Sequence, residues 1–179
     1  LSFFKNNNLI KFRSIKFDSI IQKNINSYKY KIVFLGYFLE ENNEKVYTNT
    51  IAFQNLINHI KVIAENFKDH AIILRMKIIN DGDIKTIMDI FKNIENFFLC
   101  ADYSQEKISY RLCKDSDLII SLQTSLAEEC LAYGKKVILI NELFPISNIC
   151  ESIYPKIFHF AISKSPLETL NLAKSVFKN

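Results

Sequence analysis

Two hydroxyl side chains, Thr124 and Ser125, close the run Ser121-Leu122-Gln123-Thr124-Ser125, which leads from an apolar strand-like segment straight into a helical pattern. The first backbone N–H groups of a helix have no intrahelical partner, and the positive end of the helix dipole lies there. Such a start suits an anion, and hydroxyls beside it add donors to phosphate oxygens. The same residues also fit a plainer role, with Thr124 or Ser125 as the N-cap that satisfies one of those amides. Arg75 and Lys77 stand at the end of a second apolar run, Ala71 to Met76. There Arg75 could fork to two phosphate oxygens and Lys77 could act as a point charge. An uncompensated arginine among isoleucines is costly, so Arg75 is expected to face solvent, a carboxylate or a ligand. Gly36 ends a third run and permits a turn or a close backbone approach.

These residues need a scaffold, and the hydrophobic pattern supplies one. Short β-rich runs alternate with helical periodicity, the signature of a parallel sheet covered on both faces. Lys31 to Gly36 is nearly continuous in apolar residues, as a doubly buried strand must be. From about Thr50 to Phe67, Phe53, Leu56, Ile57, Ile60, Ile63, Ala64 and Phe67 recur on one helical stripe. Further strands are predicted at 71–76, 97–100, 117–121, 137–140 and 156–161. Ile84, Ile87, Met88 and Phe91 mark a helix. Another follows Ser104, carrying Ile108 and Leu112 inward. A third runs from Leu126 to Tyr133 and stops at Gly134 in the C′ position. Ser165-Pro166-Leu167-Glu168 is a capping box with proline at N1, opening a last helix. The fold class is therefore α/β, a doubly wound parallel sheet of about six strands with helices on both faces. Ligands of such sheets bind at the carboxyl ends of the strands, where strand order reverses, and Gly36, Arg75, Lys77 and the Ser121–Ser125 turn all stand at that edge.

Length and composition narrow the classes. The chain has 179 residues, 49% of them apolar and 23% charged, which fits one folded domain and excludes disorder or a coiled coil. A net charge of +4, dispersed along the chain, predicts no nucleic-acid partner. The first 29 residues or so are rich in Asn and Lys and weakly patterned, and are assigned as an extension or the tail of a preceding element. Residues 30–179 form the recognisable domain. Cys100, Cys113, Cys130 and Cys150 lack C-x-x-C spacing and fall in apolar segments, so they read as reduced core thiols of a cytosolic protein. His59, His70 and His159 are scattered and read as structural. No P-loop, G-x-G-x-x-G, H-E-x-x-H or G-x-S-x-G motif occurs, and no metal site is expected.

The longer pattern, Asp117-Leu118-Ile119-Ile120-Ser121 through Thr124-Ser125 to Glu129-Cys130-Leu131-Ala132 and Gly134-Lys135-Lys136-Val137, resembles the C-terminal, nucleotide-sugar-binding half of GT-B glycosyltransferases. The resemblance is to those of bacterial capsule and lipopolysaccharide synthesis. Cys130 stands where that family usually has Ala, and Lys136 where it usually has Pro. The resemblance implies one Rossmann-like half of a GT-B fold. It further implies that Thr124 and Ser125 hold the donor phosphates, assisted by Arg75 and Lys77, and that Glu129 approaches the ribose. A carboxylate one helical turn past an anion site can indeed accept bonds from ribose hydroxyls, although Glu128 and Glu129 also fit as solvated residues near a helix start. Gly36, Asp102, Tyr103 and Gln123 are implied as contacts to the base or its loops, with Tyr103 able to stack. The implied activity is sugar transfer from a nucleotide-activated donor to a surface polysaccharide or glycolipid, with no cofactor beyond that substrate. The acceptor domain that would carry the catalytic base is missing from this sequence, which also lacks an initiator methionine. A fragment inactive alone is expected, cytoplasmic or peripheral at the inner membrane. Two alternatives stand beside it: a nucleotide-sugar epimerase-like domain of the same architecture, and a non-enzymatic flavodoxin-like regulatory or interaction domain.

Overall fold

The structure, a computed structural model, describes residues 9–11, 24–36, 51–76, 81–101, 106–122, 124–141 and 160–178. In chain order the elements are β1 (Leu9–Lys11), β2 (Tyr30–Leu35), α1 (Ile51–Asn66), β3 (His70–Met76), α2 (Asp81–Phe91) and β4 (Phe97–Ala101). They continue with α3 (Glu106–Lys114), β5 (Leu118–Ser121), α4 (Ser125–Ala132), β6 (Val137–Ile140), β7 (Phe160–Ser163) and α5 (Pro166–Phe177). The strands form one seven-stranded sheet in the order β1-β4-β3-β2-β5-β6-β7, and every pairing is parallel.

Alternation along the strands sorts the core into two layers. Ile32 and Phe34, Ile72 and Leu74, and Leu118 and Ile120 pack against Phe53, Leu56, Ile60 and Ile63 of α1, Ile84 and Ile87 of α2, and Leu170 and Ala173 of α5. On the opposite face Val33 and Leu35, Ala71 and Ile73, and Ile119 meet Ile108 and Cys113 of α3 and Ala127, Cys130 and Leu131 of α4. Both faces are dry. That is why these strands read as continuous apolar runs rather than alternating ones.

Buried polar side chains fix the joints. Asn96 is buried, and its amide nitrogen donates to the carbonyls of Phe67 (2.8 Å), His70 (3.0 Å) and Ala64 (3.3 Å). One side chain thus satisfies the end of α1 and the turn into β3, where carbonyls are left over. Gly134 lies at C′ of α4 with φ +78. Lys135 N–H donates to Cys130 O and Gly134 N–H to Leu131 O, the Schellman pattern that its position predicts. At the head of α5, Ser165 Oγ accepts from Glu168 N–H. The return bond differs from the expected box, since Glu168 Oε2 accepts from Lys164 N–H one residue before the cap.

Two strands depart from expectation. Leu9–Lys11, within the segment assigned as an extension, adds a parallel edge strand beside β4. The last strand lies at 160–163 rather than 156–161, and residues 156–159 fall outside the described set. It reaches Ser163 because that buried hydroxyl is satisfied: it donates to Ser165 O at 2.9 Å and accepts from Thr169 Oγ1 at 2.6 Å. Thr169 in turn pairs with His59 Nδ1 of α1 at 2.7 Å, so the polar residues ending β7 pin α5 to α1.

Candidate functional site

The strand order reverses at β2. The chain builds outward through β3 and β4 on one side, then returns to lay β5, β6 and β7 on the other. Leu35 is in register with both Arg75 and Ser121, so Gly36 and the β5–α4 turn face each other across the reversal, where open α/β sheets hold ligands.

Gly36 continues the ladder, its N–H donating to Arg75 O at 3.0 Å. A β-carbon on Gly36 would come no nearer than 3.4 Å to a side chain, that of Leu56.

Thr124 is the N-cap of α4, in extended backbone (φ −139, ψ 148) with its Oγ1 accepting from Ala127 N–H at 3.1 Å. The plainer of the two roles open to it is therefore the observed one. Its hydroxyl proton is engaged too. Ser121 is fully buried and its Oγ donates to Leu122 O, which leaves Thr124 as the donor in their 3.2 Å pair. Ser125, the first residue of the helix, is exposed. It makes no side-chain hydrogen bond to another described residue, and neither its N–H nor that of Leu126 bonds to one.

Arg75 is turned inward, 3% exposed. Its Nε donates to Ser109 Oγ of α3 at 2.8 Å, and its Nη1 donates to Met76 O and, at 3.3 Å, to Cys100 O. Solvent, a carboxylate or a ligand was expected. Instead two strand carbonyls and a serine hydroxyl compensate the charge, which charge-assisted bonds can do away from water. Arg75 thereby fastens α3 to the carboxyl ends of β3 and β4.

Glu129 lies on the exposed side of α4, one turn beyond Ser125. Its Oε2 accepts from the phenol of Tyr110, on α3, at 2.7 Å. Deeper in the same helix pair Cys113 and Cys130 are both buried and reduced. The neighbouring Cys130 thiol and, to a lesser degree, burial push the pKa of Cys113 up, while Cys113 in turn lowers that of Cys130. Lys135 Nζ donates to Lys114 O and, at 3.0 Å, to Ser116 O, tying the end of α3 to the segment after α4. None of these α3–α4 contacts was visible in the sequence. Lys77, Asp102, Tyr103 and Gln123 lie outside the described residues, as do Cys150 and His159.

Solved structures share this architecture. The chain is similar to a Staphylococcus aureus MnaA–UDP co-structure (TM-score 0.63, 13% identity, covering 95% of this chain and 41% of that one). It is similar to a Listeria monocytogenes structure described as a UDP-N-acetylglucosamine 2-epimerase (TM-score 0.62, 14% identity, 89% of this chain and 39% of that one). The catalytic domain of Helicobacter pylori cholesterol-α-glucosyltransferase also matches (TM-score 0.53, 13% identity, 84% and 87%). The fold is Rossmann-like, as in these structures. At these identities the likeness concerns the fold alone, and the chain spans about two fifths of the first two structures. No protein-family model matches the sequence, and no curated protein matches it. No described helix is long and apolar enough to cross a membrane.

Proposed function

We propose that this chain is the donor-binding half of a GT-B glycosyltransferase and takes a nucleoside diphosphate sugar at the carboxyl edge between β2 and β5. The observation that supports this is the reversal of strand order at β2, the point where doubly wound sheets hold ligands, beside the unbonded Ser125 and Leu126 amides at the start of α4. Ser125 Oγ and the Ser125 and Leu126 N–H groups would take the phosphates, and Glu129 the ribose hydroxyls. Thr124 shapes the turn and Arg75 braces the wall behind it, so both serve the site through structure. Lys77, Asp102, Tyr103 and Gln123 keep their proposed roles toward phosphate and base. The chemistry would be electrostatic preorganisation around a nucleotide leaving group, with the acceptor and the catalytic base supplied by another domain.

A nucleotide-sugar epimerase would use the same donor side, and the likeness to the Listeria structure supports that second reading. Epimerised sugar formed without acceptor, once the other domain is present, would favour it. Donor binding itself is tested on this chain by a thermal-shift panel of UDP, GDP, CDP, CMP and ADP. A ligand at about 100 times its Kd adds about 2.7 kcal/mol, roughly 5–10 °C for a domain of this size. One nucleotide is expected to shift the transition by that amount. A flat panel refutes donor binding.

A further inference from the structure

We infer that Tyr110 is a positioning residue which presents the Glu129 carboxylate to a ribose and so makes the site discriminate ribonucleotides from 2′-deoxyribonucleotides. The inference rests on the donor-binding proposal and adds a residue from a different helix. Ala127, Cys130 and Leu131 bury one side of α4, and Ser125, Glu129 and Tyr133 lie exposed at i, i+4 spacing. Side chains of a helix lean toward its N-terminus, so Glu129 reaches over the turn toward Ser125, about 6 Å along the axis.

A glutamate on an open helix face samples several rotamers, and a ligand must freeze one of them. Here the phenol O–H of Tyr110 already holds Oε2 at 2.7 Å. A carboxylate accepts about four hydrogen bonds, so one tyrosine donor leaves capacity for both hydroxyls of a ribose diol. The holder is itself held. Its neighbour Ser109 takes the buried Arg75 guanidinium, Lys135 binds the carbonyls closing α3, and Cys113 is buried in the same core cluster as Cys130, one residue past Glu129. The phenol therefore arrives at Glu129 from a helix anchored on either side of Tyr110 in the chain.

Calorimetry on the full chain would compare UDP with 2′-deoxy-UDP, or the matching pair for whichever base the thermal panel selects, in wild type, Tyr110→Phe, Glu129→Gln and the double variant. Wild type is expected to prefer the ribonucleotide by about tenfold or more, the scale of one hydrogen bond to a charged group. Tyr110→Phe should bring that ratio to within about threefold by weakening the ribonucleotide while the deoxynucleotide is held as before. Glu129→Gln should do the same, and the double variant should go no further than either single one. A ribo-to-deoxy ratio that survives in folded Tyr110→Phe overturns the inference and leaves donor binding intact. Nucleotide binding without discrimination in wild type removes both Tyr110 and Glu129 from ribose recognition, while the phosphate turn stands. No binding at all overturns the donor-binding proposal and the inference together. Should Tyr110→Phe fail to fold, a preference retained in Glu129→Gln would still refute the role of the carboxylate that Tyr110 is held to present.

Discussion

Adjacent hydroxyls at the head of α4 are expected to separate stability from binding. Thr124 caps the helix through a 3.1 Å bond from Ala127 N–H and pairs with buried Ser121 at 3.2 Å. Replacing a capping threonine by alanine costs about 1 kcal/mol, within a range of roughly 0.5–2. The partner lost by Ser121 places Thr124→Ala in the upper half of that range. For a domain of this size each kcal/mol moves the melting point by roughly 2–4 °C, giving a fall of roughly 2.5–8 °C. Ser125→Ala removes an exposed hydroxyl at the first helical position, and alanine is the better helix former, so stability should stay within about 0.5 kcal/mol. Affinity for the nucleotide found in the thermal panel should show the opposite order. Ser125→Ala removes a donor to a charged phosphate, a loss of about tenfold or more, whereas folded Thr124→Ala should lose less than about threefold, since its hydroxyl is already bonded within the turn. Urea midpoints and calorimetry on both variants decide it. A Ser125→Ala protein that binds like wild type refutes the phosphate assignment, and a Thr124→Ala protein as stable as wild type refutes the cap.

Arg75→Met keeps an apolar stem but strips the donors from Ser109, Met76 O and Cys100 O. Relief from a desolvated cation offsets part of that loss, and a net cost of about 2–3 kcal/mol is expected, with nucleotide affinity changed less than about threefold. Collapse of affinity at unchanged stability would mean that the guanidinium reaches the ligand after all. Asp69, on the surface, has its pKa lowered chiefly by the bond from His70 Nδ1 at 2.7 Å. A carboxylate lowered in the folded state contributes stability that is present above its unfolded pKa, about 3.9, and is lost as pH falls through the folded value. Urea midpoints from pH 6 downward should therefore decline more steeply below about pH 4 in wild type than in Asp69→Asn. Parallel declines would show that the contact carries no linkage.

The scaffold was legible because its strands are buried on both faces and its first helix is strongly amphipathic. All seven residues of the predicted α1 stripe, from Phe53 to Phe67, are buried. The features that escaped have physical reasons. Leu9–Lys11 is too short to carry a pattern, and an edge strand needs only the backbone of its neighbour. The last strand is predicted to stop at Ala161, two residues short, because Ser163 is polar and the partners that let it be buried, Thr169 and Ser165, lie beyond it. Arg75 was expected to be dear to bury, and it would be, but for carbonyls that the parallel ladder brings to it from β3 and β4. Tyr110 and Glu129 are 19 residues apart on separate helices, a meeting that no periodicity within either helix could reveal.

The seam between β2 and β5 sets a constraint on how the chain comes together. Lys31 N–H donates to Asp117 Oδ2 at 2.8 Å and Asp117 N–H to Lys31 O at 2.9 Å, a clasp joining residues 86 positions apart. Loops that long must close before their contacts repay the entropy, which makes such topologies slow to fold. During synthesis the Tyr30–Leu35 ribbon can gain β3 early, but its other edge stays bare until Leu118–Ser121 has emerged from the ribosome. For that interval a row of unpaired amides and carbonyls flanked by isoleucine and phenylalanine is open to any passing strand. Versions of this protein cut short before Asp117 would keep that edge for good, and inclusion bodies are their expected fate.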